Sequence, residues 1–209
     1  QAGIAFDEEM VRFDSFEPDS QFKRRLAGLS PTAKVPVLET EIGGHRQIVW
    51  DSLAIAEYLA ETFPDCGLWP ADAGARALAR SISAEMHSGF QALRSCFPMN
   101  IEASLPEVGA RLLAERPDAA ADLARVDALW SGCLAGSGGP FLFGEFGIAD
   151  AFYAPVVMRI RTYGLALGEA SASYANRVTT AAGVAEWIAQ ALAEKDFLQF
   201  EEPYRRSPA

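Results

Sequence analysis

Asp51 and Ser52 are polar residues that stand directly before a run of apolar residues with helical spacing, from Ile55 to Phe63. This run predicts an amphipathic helix, so one of the two polar residues is expected to be its N-cap. Capping alone would explain both residues. A helix N-terminus also attracts anions, however, and an aspartate beside it can hold an ammonium group. A ligand with a carboxylate and an amine on the same carbon, such as the end of a γ-glutamyl peptide, would match both features.

Pro36 interrupts a strand-like apolar stretch at residues 35–39. Proline cannot donate a hydrogen bond to a neighbouring strand, so it is confined to an edge, a first position or a special turn, and a cis bond is one way to accommodate it. We predict a cis bond between Val35 and Pro36, which would turn the amide and carbonyl of Val35 towards a ligand. The ligand would then pair with them as an added strand does. The alternative is a proline that merely begins an edge strand.

The elements that must position these residues follow two different patterns. Up to about residue 64 the sequence predicts strands at 5–13, 35–39 and 47–50 and helices at 20–29 and 53–63. Beyond that point it becomes rich in alanine and helix-periodic almost to its end. We therefore predict an α/β domain over residues 1–64, a linker over 65–72 and an all-helical domain over 73–209.

An apolar stripe with intervals of three and four residues predicts one long amphipathic helix in the second domain. Its members are Leu78, Ile82, Met86, Phe90, Leu93 and Phe97, and packing in the core is their expected role. His87 and Arg94 lie two turns apart on a neighbouring face, with Arg80 farther back. This face could line a cleft or simply face solvent.

The composition excludes several classes of function. The 209 residues carry a formal net charge of −10, and binding to nucleic acid would need clustered basic residues. No run approaches the roughly 18 apolar residues of a membrane helix, and the N-terminus lacks the features of a secretory signal, so we expect a cytoplasmic protein. The three cysteines, Cys66, Cys96 and Cys133, are widely spaced and form no metal or redox motif. No metal site is predicted.

Two motifs in the expected order resemble those of glutathione transferases. VPVL at 35–38 and WDSLAIAEYLAE at 50–61 resemble the cis-proline strand of that family and the turn and helix that grip the γ-glutamyl group. FGIADAFYAPVV at 146–157 resembles the family's buried capping box, with Asp150 retained and Gly147 in place of the usual Ser or Thr. AEMHSGFQALRSCFPMN at 84–100 resembles a bacterial, zeta-like branch.

The resemblance implies a thioredoxin-like domain followed by an all-helical one, with glutathione as co-substrate and a symmetric homodimer. It also implies roles for individual residues. Val35 would bind the cysteinyl backbone of glutathione through its main chain, and Asp51 and Ser52 would hold the γ-glutamyl end. Lys34 would reach the glycyl carboxylate. A small hydrophobic electrophile would lie against residues of the long helix, for which the candidates are Met86, His87, Phe90 and Arg94. Pro36 and Asp150 would have structural roles.

The family's first strand, its catalytic turn and the helix after it would precede Gln1, so we expect the catalytic residue there and assign none. Conjugation of glutathione to electrophiles, as in detoxification, is the leading interpretation. Three alternatives remain: isomerisation of the maleylacetoacetate type, binding of a partner protein without catalysis, and disulfide reduction if the catalytic turn carries a cysteine. The presence of both Asp51 and Ser52 favours an enzyme, because a purely structural descendant has no need of an acidic residue beside the cap.

Overall fold

The computed structural model describes residues 1–205 and divides the chain into two compact units. The smaller unit runs from Ala2 to Cys66, and the larger unit comprises Gln1 and the chain from Gly67 onward. The smaller unit combines a sheet with helices, whereas the larger one is predominantly helical. The predicted fold class, an α/β region followed by an all-helical domain, is therefore confirmed.

The smaller unit is built around a β-hairpin. It contains α1 (Gln21–Leu26), β1 (Val37–Ile42), β2 (His45–Trp50) and α2 (Ser52–Thr62), followed by a 3-10 turn at Pro64–Cys66. The strands are antiparallel, and their turn is formed by Gly43 and Gly44 with φ angles of 60° and 79°. Two-residue hairpin turns need such positive angles. The predicted helices at 20–29 and 53–63 and strands at 35–39 and 47–50 are confirmed, with ends shifted by a few residues.

The predicted strand at 5–13 is wrong. Residues 1–15 have no regular secondary structure, and the sheet in the described chain contains only β1 and β2. Phe6 and Met10, which contribute to the apolar pattern, are 77% and 61% exposed. A strand requires a neighbour that accepts its backbone hydrogen bonds and covers one of its faces. No such neighbour exists for this segment within residues 1–205.

α7 (Ile148–Tyr163) is the central helix of the larger unit, and most of its residues are buried. It packs against α3, α5 and α8. Trp130 contacts two aromatic rings edge to face, with centroids 5.5 Å away at Tyr153 and 5.0 Å away at Tyr174. The other helices described in the larger unit are α3 (Ala73–Ser88), α4 (Gln91–Cys96), α5 (Pro106–Glu115), α6 (Pro117–Ser137), α8 (Glu169–Thr180) and α9 (Ala182–Glu194).

The single long helix predicted over the apolar stripe is wrong, because α3 ends at Ser88 and α4 begins at Gln91. Phe90 adopts a left-handed conformation at the break, with φ of 53°. Side chains satisfy the backbone groups on both sides of it. Arg94 Nη1 donates to the carbonyls of His87 at 3.2 Å and Gly89 at 3.4 Å, and the amide of Leu93 donates to the Asp122 carboxylate at 3.0 Å.

The core role predicted for the stripe holds for all its members except Leu78. Ile82, Met86, Phe90, Leu93 and Phe97 are buried, whereas Leu78 is 47% exposed. The stripe therefore continues across the break, because α4 turns to pack against α6. Burial of apolar side chains was readable from their spacing, but the change of helix direction was not.

Asp150 closes the first turn of α7 from inside the core, as predicted. Its side chain is 1% exposed and accepts hydrogen bonds from the amides of Gly147 at 2.9 Å and Leu142 at 3.2 Å and from the Tyr174 hydroxyl at 2.9 Å. Burial raises the pKa of this carboxyl, and the three hydrogen bonds oppose that rise. Gly147 contributes no side-chain oxygen to the cap, so Asp150 provides the only side-chain half of the box.

We expect Gly109→Ala to destabilise the larger unit strongly. A Cβ at Gly109 of α5 would lie 1.9 Å from the Tyr163 carbonyl oxygen of α7, and relief requires the two helices to separate. A loss of about 3 kcal/mol or more in the free energy of unfolding is expected. Gly132→Ala is the matched control, because nothing lies within 4 Å of its Cβ position in α6. This control should gain about 0.5–1 kcal/mol. Urea unfolding of both variants tests the contrast, and equal stability would contradict it.

We expect Asp150→Ala to lower the free energy of unfolding by at least about 2 kcal/mol, because two amides and a hydroxyl would lose their buried acceptor. The melting temperature should fall by about 2 to 4 °C per kcal/mol lost. Glu169→Ala, which removes an exposed acid from the first turn of α8, should change it little. A wild-type melting temperature for Asp150→Ala, measured by circular dichroism, would refute the role of this carboxylate.

Candidate functional site

The hairpin of the smaller unit brings the two motifs of the predicted glutathione site together. Val37 pairs with Trp50 at the open end of the hairpin, so the residues before Val37 and after Trp50 leave the sheet side by side. Pro36 and Asp51 therefore directly adjoin the last residue pair of the sheet. The Val35–Pro36 bond is cis, as predicted.

The main chain of Val35 is open to a ligand. Val35 is 54% exposed, and neither its amide nor its carbonyl forms a hydrogen bond with any part of the chain that the structure describes. A polar backbone normally finds a partner in protein or water. These two groups can therefore pair with an extended peptide in the manner of an added strand. Lys34 beside them is also exposed.

Lys23 fixes the loop that leads into Val35. Its Nζ donates to the Ala33 carbonyl at 2.9 Å, and Ala33 adopts a left-handed conformation with φ of 49°. The Ala33 amide in turn donates to the Ser30 carbonyl at 3.2 Å. Sequence reasoning missed this role for Lys23. The only signal was a cluster of three basic residues in α1, and a cluster does not reveal which of its members reaches a distant loop.

Asp51, rather than Ser52, is the N-cap of α2. Its Oδ1 accepts from the Leu53 amide at 2.9 Å, and Ser52 is the first residue of the helix. Asp51 is exposed, and its φ is 73° and its ψ 131°. A non-glycine residue with such a positive φ costs on the order of 1–3 kcal/mol, and residues of this kind cluster at functional sites.

The smaller unit thus presents two recognition elements at one end of its hairpin. An open main chain lies on one side, and the amino end of α2 with an acidic cap lies on the other. The first amides of a helix lack partners within the helix and favour an anion, whereas the Asp51 carboxylate favours a cation. The arrangement matches a zwitterionic peptide end.

The predicted electrophile candidates lie in the larger unit and differ in their surroundings. Met86 and Phe90 are 7% and 6% exposed and belong to the core. His87 is half-buried, and its ring lies edge to face with Phe152, centroid to centroid at 6.2 Å. Arg94 is also half-buried and binds the carbonyls at the end of α3. His87 and Arg94 are therefore the two members that reach the surface of the unit.

The cysteines offer little for chemistry. Cys96 and Cys133 are buried, and burial raises the pKa of the Cys133 thiol, which disfavours its reactive thiolate. Cys66 is exposed, and none of the three forms a disulfide. Within residues 1–205, no three metal-ligating side chains come together. No helix in that range has the length and apolar character to cross a membrane.

Two family models match the chain. The N-terminal domain of glutathione S-transferases matches residues 1–62, and the C-terminal domain of glutathione S-transferases matches residues 113–190. These matches cover parts of the smaller and the larger unit respectively. They support the thioredoxin-like character of the first region and the helical domain that follows it.

Curated and solved proteins agree with these matches. A probable maleylacetoacetate isomerase from Caenorhabditis elegans is 44% identical over 73 residues, which are 35% of this chain and 32% of that protein. The matched stretch thus spans about a third of the curated relative. A solved maleylacetoacetate isomerase from Anaeromyxobacter dehalogenans 2CP-1, with glutathione bound in its active site, is 27% identical with a TM-score of 0.53 and covers 80% of this chain and 76% of that one.

A solved glutathione transferase homolog from Burkholderia gl BGR1, also with bound glutathione, is 25% identical with a TM-score of 0.53. The similarity covers 78% of this chain and 75% of that one. Both domains of one family therefore occur in the order in which the two motifs were found, and solved proteins with the same fold carry the family's name. The chain belongs to the glutathione S-transferase family.

Proposed function

We propose that the protein binds glutathione at the open end of its hairpin and conjugates the glutathione thiolate to an electrophilic substrate. The observation that carries this proposal is the open main chain of Val35 beside the acid-capped start of α2. Bound glutathione in the related structures from Burkholderia and Anaeromyxobacter supports it. Glutathione is a peptide with a zwitterionic γ-glutamyl end, so each group of the site has a counterpart on the ligand.

Each binding group contacts a different part of glutathione. The Val35 amide and carbonyl pair with the cysteinyl backbone, and Asp51 accepts hydrogen bonds from the γ-glutamyl ammonium group. The Ser52 hydroxyl and the first amides of α2 bind the γ-glutamyl carboxylate. Lys34 extends towards the glycyl carboxylate. Together these contacts orient the thiol, whose thiolate is the reacting species.

In conjugation, the thiolate sulfur forms a bond to an electrophilic carbon, and a leaving group departs with the electron pair of the broken bond. Keeping the thiol ionised at neutral pH requires a pKa about two units below its ordinary value. That shift corresponds to about 2.7 kcal/mol, which one or two hydrogen-bond donors can supply. His87 and Arg94 contribute to the surface on which the small electrophile binds, backed by the buried Met86 and Phe90.

Isomerisation of the maleylacetoacetate type is the second candidate, and the 44% identity to the probable isomerase favours it. In that reaction the thiolate adds to a double bond, the resulting single bond rotates, and the thiolate leaves again. Glutathione is consumed in conjugation but regenerated in isomerisation. Measuring free thiol during turnover of each substrate class therefore separates the two reactions, and a protein that binds partners without catalysis would turn over neither.

We also propose a symmetric homodimer, the commonest geometry of soluble oligomers, and a cytoplasmic location. The location is supported by three cysteines without a disulfide, which is typical of reducing compartments.

For the proposed homodimer, light scattering should give twice the mass of one chain. A monomer at micromolar concentration would contradict the dimer.

We expect Asp51→Asn to weaken glutathione binding by about ten- to a hundredfold, because the ammonium group loses a charge-assisted hydrogen bond. Asparagine caps helices as well as aspartate does, so the melting temperature should stay unchanged. Glu61→Ala, an exposed acid at the far end of α2, is the control and should bind like wild type. Isothermal titration calorimetry measures all three. Undetectable binding by wild type at millimolar glutathione would reject the function, whereas equal affinity for Asp51→Asn would reject only the residue assignment.

A further inference from the structure

Arg159 is a half-buried arginine of α7 without an acidic partner. Its Nη1 donates to the Pro155 carbonyl at 3.0 Å, and its Nε is buried without any hydrogen-bond partner. No carboxylate within residues 1–205 lies in salt-bridge range of it. A buried charge is normally paired, because removing it from water is costly. An unpaired guanidinium with unused donors therefore points to a ligand.

Arg94 is a second arginine with unused donors in the same region. Its Nη1 makes both of its hydrogen bonds, to carbonyls at the end of α3. Its Nε and Nη2 bind nothing in the described part of the chain. Burial lowers the pKa of Arg159 to about 10, and the charge of Arg94 makes a smaller contribution in the same direction. Two guanidinium groups thus lie within electrostatic range of each other. The chain has a net charge of −10, so acidic residues are plentiful in other parts of it.

The surroundings of the two arginines suit an organic anion with a flat apolar body. Phe152 lies two turns before Arg159 on the same face of α7, and its ring contacts the ring of His87. Arg94 binds the carbonyl of that same His87. These four half-buried residues lie in one region of the larger unit, and we call them the arginine cluster: His87, Arg94, Phe152 and Arg159.

We propose that the arginine cluster is a binding site for a carboxylate on the electrophilic substrate, with Arg159 as its main anchor and Phe152 and His87 against the apolar body. Guanidinium groups bind carboxylates through two parallel hydrogen bonds, and each arginine here has nitrogen atoms to spare. The inference deepens the proposed function, since it takes the transferase reaction as given and specifies an anionic substrate. Sequence reasoning placed His87 and Arg94 among the candidates but missed Arg159 and Phe152.

A matched pair of substrates isolates the charge: a chloronitrobenzoate and its neutral methyl ester. With saturating glutathione, the ratio of kcat/KM for the acid over the ester should fall about ten- to a hundredfold in Arg159→Met relative to wild type, through KM for the acid. Arg159→Lys keeps the positive charge but loses the two parallel hydrogen-bond donors. Its acid-to-ester ratio should therefore lie between those of wild type and Arg159→Met. Arg161→Met, an exposed arginine of the same helix, is the control and should keep the wild-type ratio. An unchanged ratio in Arg159→Met would overturn the proposal.

Direct titration of the chloronitrobenzoate by calorimetry separates this site from the proposed function. If wild type binds the acid at least tenfold more tightly than Arg159→Met, and both bind the ester equally, the anion site stands even without transferase activity. Equal affinities for the acid would overturn the site whatever the activity.

Thermal unfolding adds a readout that a merely structural arginine would not give. Removing an unpaired buried charge should leave the melting temperature of Arg159→Met unchanged or raise it. Adding the chloronitrobenzoate should then raise the melting temperature of wild type but not that of the variant. A lower melting temperature for ligand-free Arg159→Met, with the same ligand response as wild type, would assign Arg159 a structural role and overturn the proposal.

Discussion

The buried carboxylate of Asp150 is the interaction on which the larger unit depends. A single side chain accepts hydrogen bonds from the start of α7, from the loop at Leu142 and from Tyr174 of α8. Three segments that are distant in sequence therefore meet at one charge. Desolvation makes that charge expensive, as the raised pKa indicates, and the three donors offset much of the cost. Because α7 starts at this point, its register sets where Phe152 and Arg159 lie along the helix.

Local rules predicted a large part of this structure. The hairpin strands, the capped helix after Asp51 and the buried stripe from Ile82 to Phe97 follow from periodicity, turn residues and capping, which act over only a few residues. The candidate site in the smaller unit was predictable for the same reason, since Pro36 and Asp51 are joined by a hairpin with a two-residue turn. Its chemistry follows from residue types that the sequence displays directly.

What failed depends on contacts between distant residues. The apolar pattern at 5–13 indicates a strand, but a strand also needs a neighbour that sequence periodicity does not provide. The break at Phe90 is stabilised by Asp122 of α6, 29 positions beyond Leu93, and nothing in the stripe itself signals it. Arg159 was missed because an arginine is ordinarily exposed, and only the folded structure shows that its Nε is buried.

Gly147 has a consequence for how chains of this family can be recombined. A Cβ at Gly147 would lie 3.0 Å from the Leu68 carbonyl oxygen, which accepts the amide of Ile148 at 3.0 Å. Trp69, the residue after Leu68, is 8% exposed and belongs to the same core. The segment just after Cys66 is therefore a structural part of the helical unit and does not serve only as a linker. A chimaera that joins its helices to the first unit of a relative should place the seam before Gly67. A seam nearer α3 would combine a foreign residue at position 68 with a helix start that has no side-chain oxygen of its own.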